Sequence, residues 1–372
     1  MASALETSAL VPVSQKAAQD YAAHADNLLN YVDGCMKQAP LDALAAKQVE
    51  MMLQNHRNHL QFMMSFFRLN NPELLKEIVI WVYRAYQAHG FSPDYFPAVL
   101  RRWMEAVSQF LPPESAPEIL GVYGWMLENH QRFLAAADEY RHMEQEAAGA
   151  PHPLQALRNE FLQGLIAGSL SRCNACATGY ITGKDELREF YLGVVQPAMI
   201  EIGNLWERGE LSVAREHLAT AIVTRIMAAQ HMRFFGLEKP KGKALISAAA
   251  NEFHELGARM VADLFDLDGW DVTYIGSNVP VEAAEEMIRN EKPSVVGLSV
   301  TMPFNLGKTA DLVDRIHSSP ELAGVKIIVG GRAFQFSPTL WQTIGADAYA
   351  NNAIEALNAA NSFMETRPRE AE

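Results

Sequence analysis

Glu252, His254 and Gly257 form the pattern Glu-x-His-x-x-Gly directly after a short apolar run at 244–249. The run reads as a buried strand, and in an open parallel sheet the carboxyl ends of the strands border the ligand crevice. A histidine at that edge can point out of the sheet toward a ligand. Glu252 can accept from its second ring nitrogen, which fixes the tautomer and raises the basicity of the other nitrogen. Gly257 allows close approach where the next helix starts. Ser299 and Thr301 fall at the end of a third strand and Gly330-Gly331 at the end of a fourth, so hydroxyls and bare backbone collect on the same edge. Imidazole suits a borderline transition metal, and small residues leave a slot. Taken alone, a loop histidine reads as an ordinary surface residue; the groups at the matching strand ends make it a candidate.

A second constellation lies upstream. Trp206 ends a helix, Gly209 permits a turn, and Glu216-His217 open the next helix. Such a turn brings an indole wall and a polar pair to one end of a helical bundle. The plain alternative is a core tryptophan and an N-terminal glutamate favoured by the helix dipole.

The elements that position these residues follow from the pattern along the chain. Residues 1–150 read as helix after helix, at about 51–67, 73–89, 94–111 and 116–149, five or six in all. Asn70-Asn71-Pro72 and Pro112-Pro113 are breaks, and Ser92-Pro93-Asp94 is an N-cap with proline in the first turn. Pro151 and Pro153 bracket a hinge. Helices near 154–173, 174–182, 185–207 and 212–235 then make a bundle. After the polar linker Lys239-Pro240-Lys241-Gly242-Lys243, strands at 244–249, 271–276, 294–300, 326–329 and 346–350 alternate with helices, which predicts a doubly wound parallel sheet. The fold class is therefore α plus α/β: an N-terminal all-α, globin-like domain (1–150), a helical bundle (151–238) and a Rossmann-like domain (239–372).

The 372 residues are 49% hydrophobic and 20% charged, enough apolar material for real cores. With 31 basic against 44 acidic residues, a net −13 spread along the chain, no segment has the cationic footprint of a nucleic-acid binder. Cys35, Cys173 and Cys176 cannot make a disulfide framework, which suits a reducing, cytoplasmic setting. Cys173 and Cys176 have half-zinc spacing without a second pair and read as inert thiols. No basic-plus-apolar leader and no run of 18 apolar residues is present, so neither secretion nor a membrane span is expected.

Glu-x-His-x-x-Gly, Ser-x-Thr and Gly-Gly, in this order on such a fold, resemble the cobalamin-binding domain. The family's usual motif is Asp-x-His-x-x-Gly, then Ser-x-Leu, then Gly-Gly; here Glu252 stands for Asp and Thr301 for Leu. The resemblance covers residues 154–366, because a helical bundle ahead of the domain is also usual. It implies that His254 binds cobalt from below in place of the cofactor's dimethylbenzimidazole. The freed nucleotide tail would pass Ser299, Gly330 and Gly331. Trp, nine residues, then Glu-His is similar to the signature of CarH-type cobalamin photoreceptors. That implies adenosylcobalamin beneath Trp206, Glu216 and His217, with photolysis of the Co–C bond changing conformation and oligomeric state. In that family a histidine follows the tryptophan and takes the vacated cobalt position. Here Glu207 stands there, which leaves His217 as the substitute upper ligand.

The aromatic- and Met-rich first domain reads most simply as core, or else as a pocket for a flat conjugated ligand. The run from His59 to Phe62, Asn71-Pro72-Glu73-Leu74, Trp81 and His89-Gly90 resembles the N-terminal domain of photocobilins. This implies bound biliverdin, with contacts at His56, His59, Trp81 and Arg84. The resulting expectation is a non-enzymatic light sensor with light-dependent homo-oligomerisation and an unidentified protein partner. The alternative is a corrinoid methyl carrier of a methyltransferase system, which would share His254 and the bundle. A third reading is a bilin- or haem-binding protein whose cobalamin fold is relict.

Overall fold

The computed structural model describes residues 6–7, 10–38, 46–146, 153–234, 236 and 238–365. The expected hinge residue Pro151 lies outside them. The chain divides into two compact units, 1–148 with 303–307, and 149–302 with 308–372.

The first unit is all-α: α1 (Gln15–Ala23), α2 (Ala25–Gln38), α3 (Ala46–Leu69), α4 (Pro72–Ala88), α5 (Tyr95–Phe110), α6 (Ala116–Glu128) and α7 (His130–Glu146). Asn71 caps α4 by accepting from Leu74 N at 3.0 Å, with Pro72 in the first turn, where its missing N–H costs nothing. Helix α5 starts two residues later than the cap reading: Asp94, not Ser92, is the N-cap residue, and its side chain makes no capping hydrogen bond. The expected helix 116–149 is two helices. Asn129 separates them, and its Nδ2 donates to the Trp125 carbonyl at 2.9 Å, supporting the break with its own side chain. The interior is aromatic. Tyr83 stacks on Phe96 at 3.7 Å, Tyr21 and Tyr123 share a hydroxyl contact of 2.7 Å, and Trp103 is fully buried.

The second unit opens with a bundle: α8 (Gln155–Ile166), α9 (Leu170–Tyr180), α10 (Lys184–Phe190), a π-turn (Tyr191–Val195), α11 (Gln196–Glu207) and α12 (Val213–His231). Two breaks depart from the expected helices. Gly168, at φ 69°, ends α8, and Ser169 caps α9 by accepting from Arg172 N. The expected helix 185–207 carries the π-turn instead. Pro197 has no N–H to give the Gly193 carbonyl, so the regular ladder fails there. Arg158 Nε donates to that carbonyl at 3.0 Å.

The parallel sheet follows: β1 (Lys243–Ala248), β2 (Asp271–Tyr274), β3 (Val295–Ser299), β4 (Lys326–Gly330) and β5 (Ala348–Ala350). They alternate with α13 (Leu256–Leu267), α14 (Val281–Glu291), α15 (Leu306–Ser318), α16 (Leu340–Ile344) and α17 (Ala353–Glu365). The strand order is β2-β1-β3-β4-β5, so the order reverses between β1 and β3. That reversal places a crevice at their carboxyl ends. Helices α13 and α17 bury the other side of the core around Trp270, whose indole lies tilted at 45° against Phe265 with ring centres 5.6 Å apart and donates to Asn361 Oδ1 at 3.1 Å. Among the described residues no helix is long and apolar enough to cross a membrane. Trp270→Ala removes a fully buried side chain from this core. It should lower the unfolding free energy of the unit by about 3–5 kcal/mol, read as a lower urea midpoint.

Candidate functional site

Strand register assembles the edge. Ala248 on β1 pairs with Ser299 on β3, Ser299 with Gly330 on β4, and Gly330 with Ala350 on β5. These strands therefore end on one line, with 249–255, 300–302 and 331–332 emerging side by side. Asn251 takes φ 61°, a conformation asparagine tolerates, and its N–H donates to Asn278 Oδ1 at 3.1 Å. This pair, which the motif does not include, holds the loop that presents His254.

Glu252 is fully buried. Its Oε1 accepts from His254 N at 3.2 Å and meets His254 Nδ1 at 2.5 Å; its Oε2 accepts from Thr301 N at 2.9 Å and Met302 N at 2.8 Å. Each donor satisfies part of a charge that would otherwise be costly to bury. The His254 side chain is 51% exposed, and among the described residues none forms a hydrogen bond with its Nε2. Burial alone would push the Glu252 carboxyl up; the His254 contact and the backbone donors outweigh it and hold the carboxyl below the usual range. Burial likewise pulls the His254 ring down, but the Glu252 hydrogen bond and charge, helped by Glu216 and opposed by Arg332, raise it.

The glycines divide into two kinds. A Cβ on Gly331, at φ 99°, would lie 2.3 Å from the Val300 carbonyl oxygen, and one on Gly330 would lie 2.8 Å from that of Ala350. Backbone packing therefore demands this pair before any ligand is considered. A Cβ on Gly257 would meet only Ser299 Oγ, at 3.4 Å. The protein's own packing leaves that space, next to the half-buried Ser299 hydroxyl, for something else.

On the bundle side, α11 ends on Trp206 and the buried Glu207, Gly209 turns the chain at φ 74°, and Glu216 sits in the first turn of α12. Glu216 Oε2 meets His217 Nδ1 at 2.7 Å and its Oε1 accepts from Thr220 Oγ1 at 3.2 Å. Both Glu216 and Arg332 lie near enough for their charges to act on His254. Arg332, directly after the glycine pair, also reaches Glu207 at 3.9 Å. It belongs to the site's surroundings, and its place behind Gly-Gly was the available signal.

In the first unit, His56 and His59 line a small, partly open cavity of about 60 Å³ with Phe62, Tyr83, Tyr95 and Trp103; Trp81 and Arg84 are not in its lining. His56 bridges Asp33 Oδ1 at 2.6 Å and the Tyr95 hydroxyl at 3.0 Å. His59 is pulled down to about 3 by burial and by His56, so it stays neutral, with Tyr123 OH at 3.2 Å from Nε2. Cys173 and Cys176 are free and buried, and burial pushes the Cys173 thiol up to about 11.

A metal that arrives inside a macrocycle needs few protein ligands. Among the described residues no three His, Cys, Asp or Glu side chains gather as a metal cage. What is present fits such a cofactor: one oriented imidazole with an open nitrogen, backed by a buried carboxylate, beside a glycine-lined gap. In the ligand-free chain Glu252→Gln should return the His254 ring toward its ordinary value, visible in an NMR pH titration. A depressed Glu252 adds stability above 4.5, lost as pH falls through its folded value, and a raised His254 adds stability below 6.5, lost as pH rises through its own. The melting-temperature gap between wild type and Glu252→Gln should thus be widest at about pH 4.5–6.5.

Comparison with known proteins bears on this geometry. A B12 binding domain model matches residues 242–358, and a second B12 binding domain model matches 157–229. The chain is 27% identical over 214 residues to dimethylamine corrinoid protein 1 of Methanosarcina acetivorans, covering 56% of this chain and 99% of the relative. It is 28% identical over 213 residues to monomethylamine corrinoid protein 1 of the same organism, covering 51% and 94%. The structure of the Methanosarcina barkeri monomethylamine corrinoid protein shares the fold, with a TM-score of 0.51 and 20% identity, covering 56% of this chain and 99% of that one. These relatives overturn the light-sensor expectation: they are corrinoid proteins of methylamine systems, which back the methyl-carrier alternative. An indole and a Glu-His pair at one end of a bundle do not by themselves specify an adenosyl group or a response to light. The second unit carries a cobalamin-binding module, built from a helical segment within 157–229 and a parallel-sheet domain within 242–358.

Proposed function

We propose that the chain is a corrinoid carrier that holds cobalamin for the transfer of methyl groups between partner methyltransferases, with methylamines as the class of methyl donor. The observation that carries this is the Glu252–His254 pair, an imidazole locked through Nδ1 with Nε2 open. Bound cobalamin supplies a cobalt centre able to accept and release a methyl group. The chain's residues do the rest. His254 would hold the cobalt, Glu252 fixes the tautomer of that ring and sustains its basicity, and Gly257 and Ser299 would border the space for the nucleotide tail. The helical bundle would cover the other side of the cobalt with Trp206, Glu216 and His217, and the chain itself is not the catalyst.

The test is reconstitution of the whole chain with hydroxocobalamin. Wild type should retain it and show the absorption change of benzimidazole replaced by imidazole, and His254→Ala should lose that change. Glu252→Gln should weaken retention by about 10–100-fold in equilibrium dialysis. With a methyltransferase supplied, a chain loaded with methylcobalamin should give up methyl to a thiol, and it should retain methylcobalamin at least as well as adenosylcobalamin. Failure of wild type to retain hydroxocobalamin, or an axial change that persists in His254→Ala, would overturn the reading.

A second reading concerns the first unit. A partly open aromatic pocket with a neutral histidine on its wall favours a flat conjugated occupant, and biliverdin is the probe to use. Biliverdin should quench tryptophan fluorescence of the wild type, and His59→Leu should weaken the quenching. Equal quenching in both would remove His59 from any such site.

A further inference from the structure

Five residues that follow β3 in sequence, 303–307, belong to the first unit. A 3-10 turn (Pro303–Asn305) opens them, and α15 begins at Leu306. Helix α3 holds them by hydrogen bonds. The buried Ser65 accepts at Oγ from Gly307 N at 3.1 Å, and its one proton is shared between the Gln61 carbonyl at 3.0 Å and the Phe304 carbonyl at 3.2 Å. Arg68 Nη1, one turn further along α3, donates to the Gly307 carbonyl at 3.0 Å.

Gly307 N is among the amides at a helix start that have no partner inside the helix. A serine or asparagine just upstream ordinarily caps such an amide. Here the capping hydroxyl comes from 242 residues away. The fit is close: a Cβ on Gly307 would lie 2.7 Å from Ser65 Oγ, so glycine is what lets the hydroxyl reach the amide.

Directly upstream stand Thr301 and Met302, whose amides donate to Glu252 Oε2 at 2.9 and 2.8 Å. Only Pro303, itself buried, separates Met302 from Phe304. Its ring locks its own φ and restricts the residue before it. The link is stiff, so the place where α3 holds Phe304 and Gly307 decides where the amides of Thr301 and Met302 stand.

We infer that Ser65 and Arg68 are positioning residues for the candidate site: by capping α15 from α3 and clasping 303–307, they fix the two amides that keep Glu252 aimed at His254. They act through Thr301, Met302 and Glu252. The consequence for cobalamin rests on the carrier reading; the clasp itself does not.

The test is residue-resolved amide exchange by NMR on the ligand-free full chain. In Ser65→Ala and in Arg68→Gln the amides of Thr301 and Met302 should exchange about three- to tenfold faster than in wild type, the factor a helix cap commands. Gly307→Ala should do the same, and adding it to Ser65→Ala should change little more, because the atom it collides with is already gone. Arg68→Lys, which keeps a donor, should restore most of the protection. Ile119→Val, a change in the same unit's buried core, should lower the melting temperature and leave both amides as they are. In chains reconstituted with hydroxocobalamin, Ser65→Ala should release it faster by the same factor. Wild-type exchange at Thr301 and Met302 in both Ser65→Ala and Arg68→Gln would overturn the clasp, and so would equal acceleration in Ile119→Val. Unchanged release from a variant whose amides have loosened would overturn the positioning role. If wild type retains no hydroxocobalamin the carrier reading falls, and the exchange measurement still decides the clasp.

Discussion

A carboxylate with no contact to solvent organises the second unit's edge. Glu252 ties the segment after β1 to the segment after β3, because its two oxygens take donors from both. Burying that charge is tolerable only while all of these donors are present. The His254 ring is therefore aimed before anything binds. Ordering a loop and a side chain at the moment of association would subtract from affinity, and here that ordering is done by folding. The parallel register serves the same end, since Ala248, Ser299 and Gly330 bring the three emerging segments level.

Much of this was legible in the sequence because the relevant signals are local. Alternating strand and helix after Lys243 predicts the sheet, and the structure moves its element ends by only a few residues. Glu252 two residues before His254 predicts the carboxylate–imidazole contact that is found. What escaped were features whose cause lies at a distance or in one unobtrusive residue. Pro197 falls inside the helix expected over 185–207, yet instead of stopping it the proline converts one turn and leaves the Gly193 carbonyl to Arg158. Asn129 breaks a helix with its side chain rather than by any failure of apolar periodicity. The glycine pair at 330–331 reads as room for a ligand but answers to neighbouring carbonyl oxygens.

Function divided along the same line. The oriented imidazole was readable because Glu252 stands two residues before His254 at the end of a strand. What the cofactor does was not, because Trp206, Glu216 and His217 fix which end of a bundle they share and leave open the group they cover. That distinction came from relatives named as methylamine corrinoid proteins, whose likeness extends over most of their own length.

The two thiols of α9 gain a meaning from their surroundings. Sulfur is the natural rival acceptor for any activated one-carbon group, and only its anion is strongly nucleophilic. Burial holds Cys173 at about 11 and raises Cys176 as well, so at neutral pH the anionic fraction of either is very small. On the carrier reading proposed above, Cys173 and Cys176 would serve as apolar filling and stay chemically silent toward the electrophile to be transported.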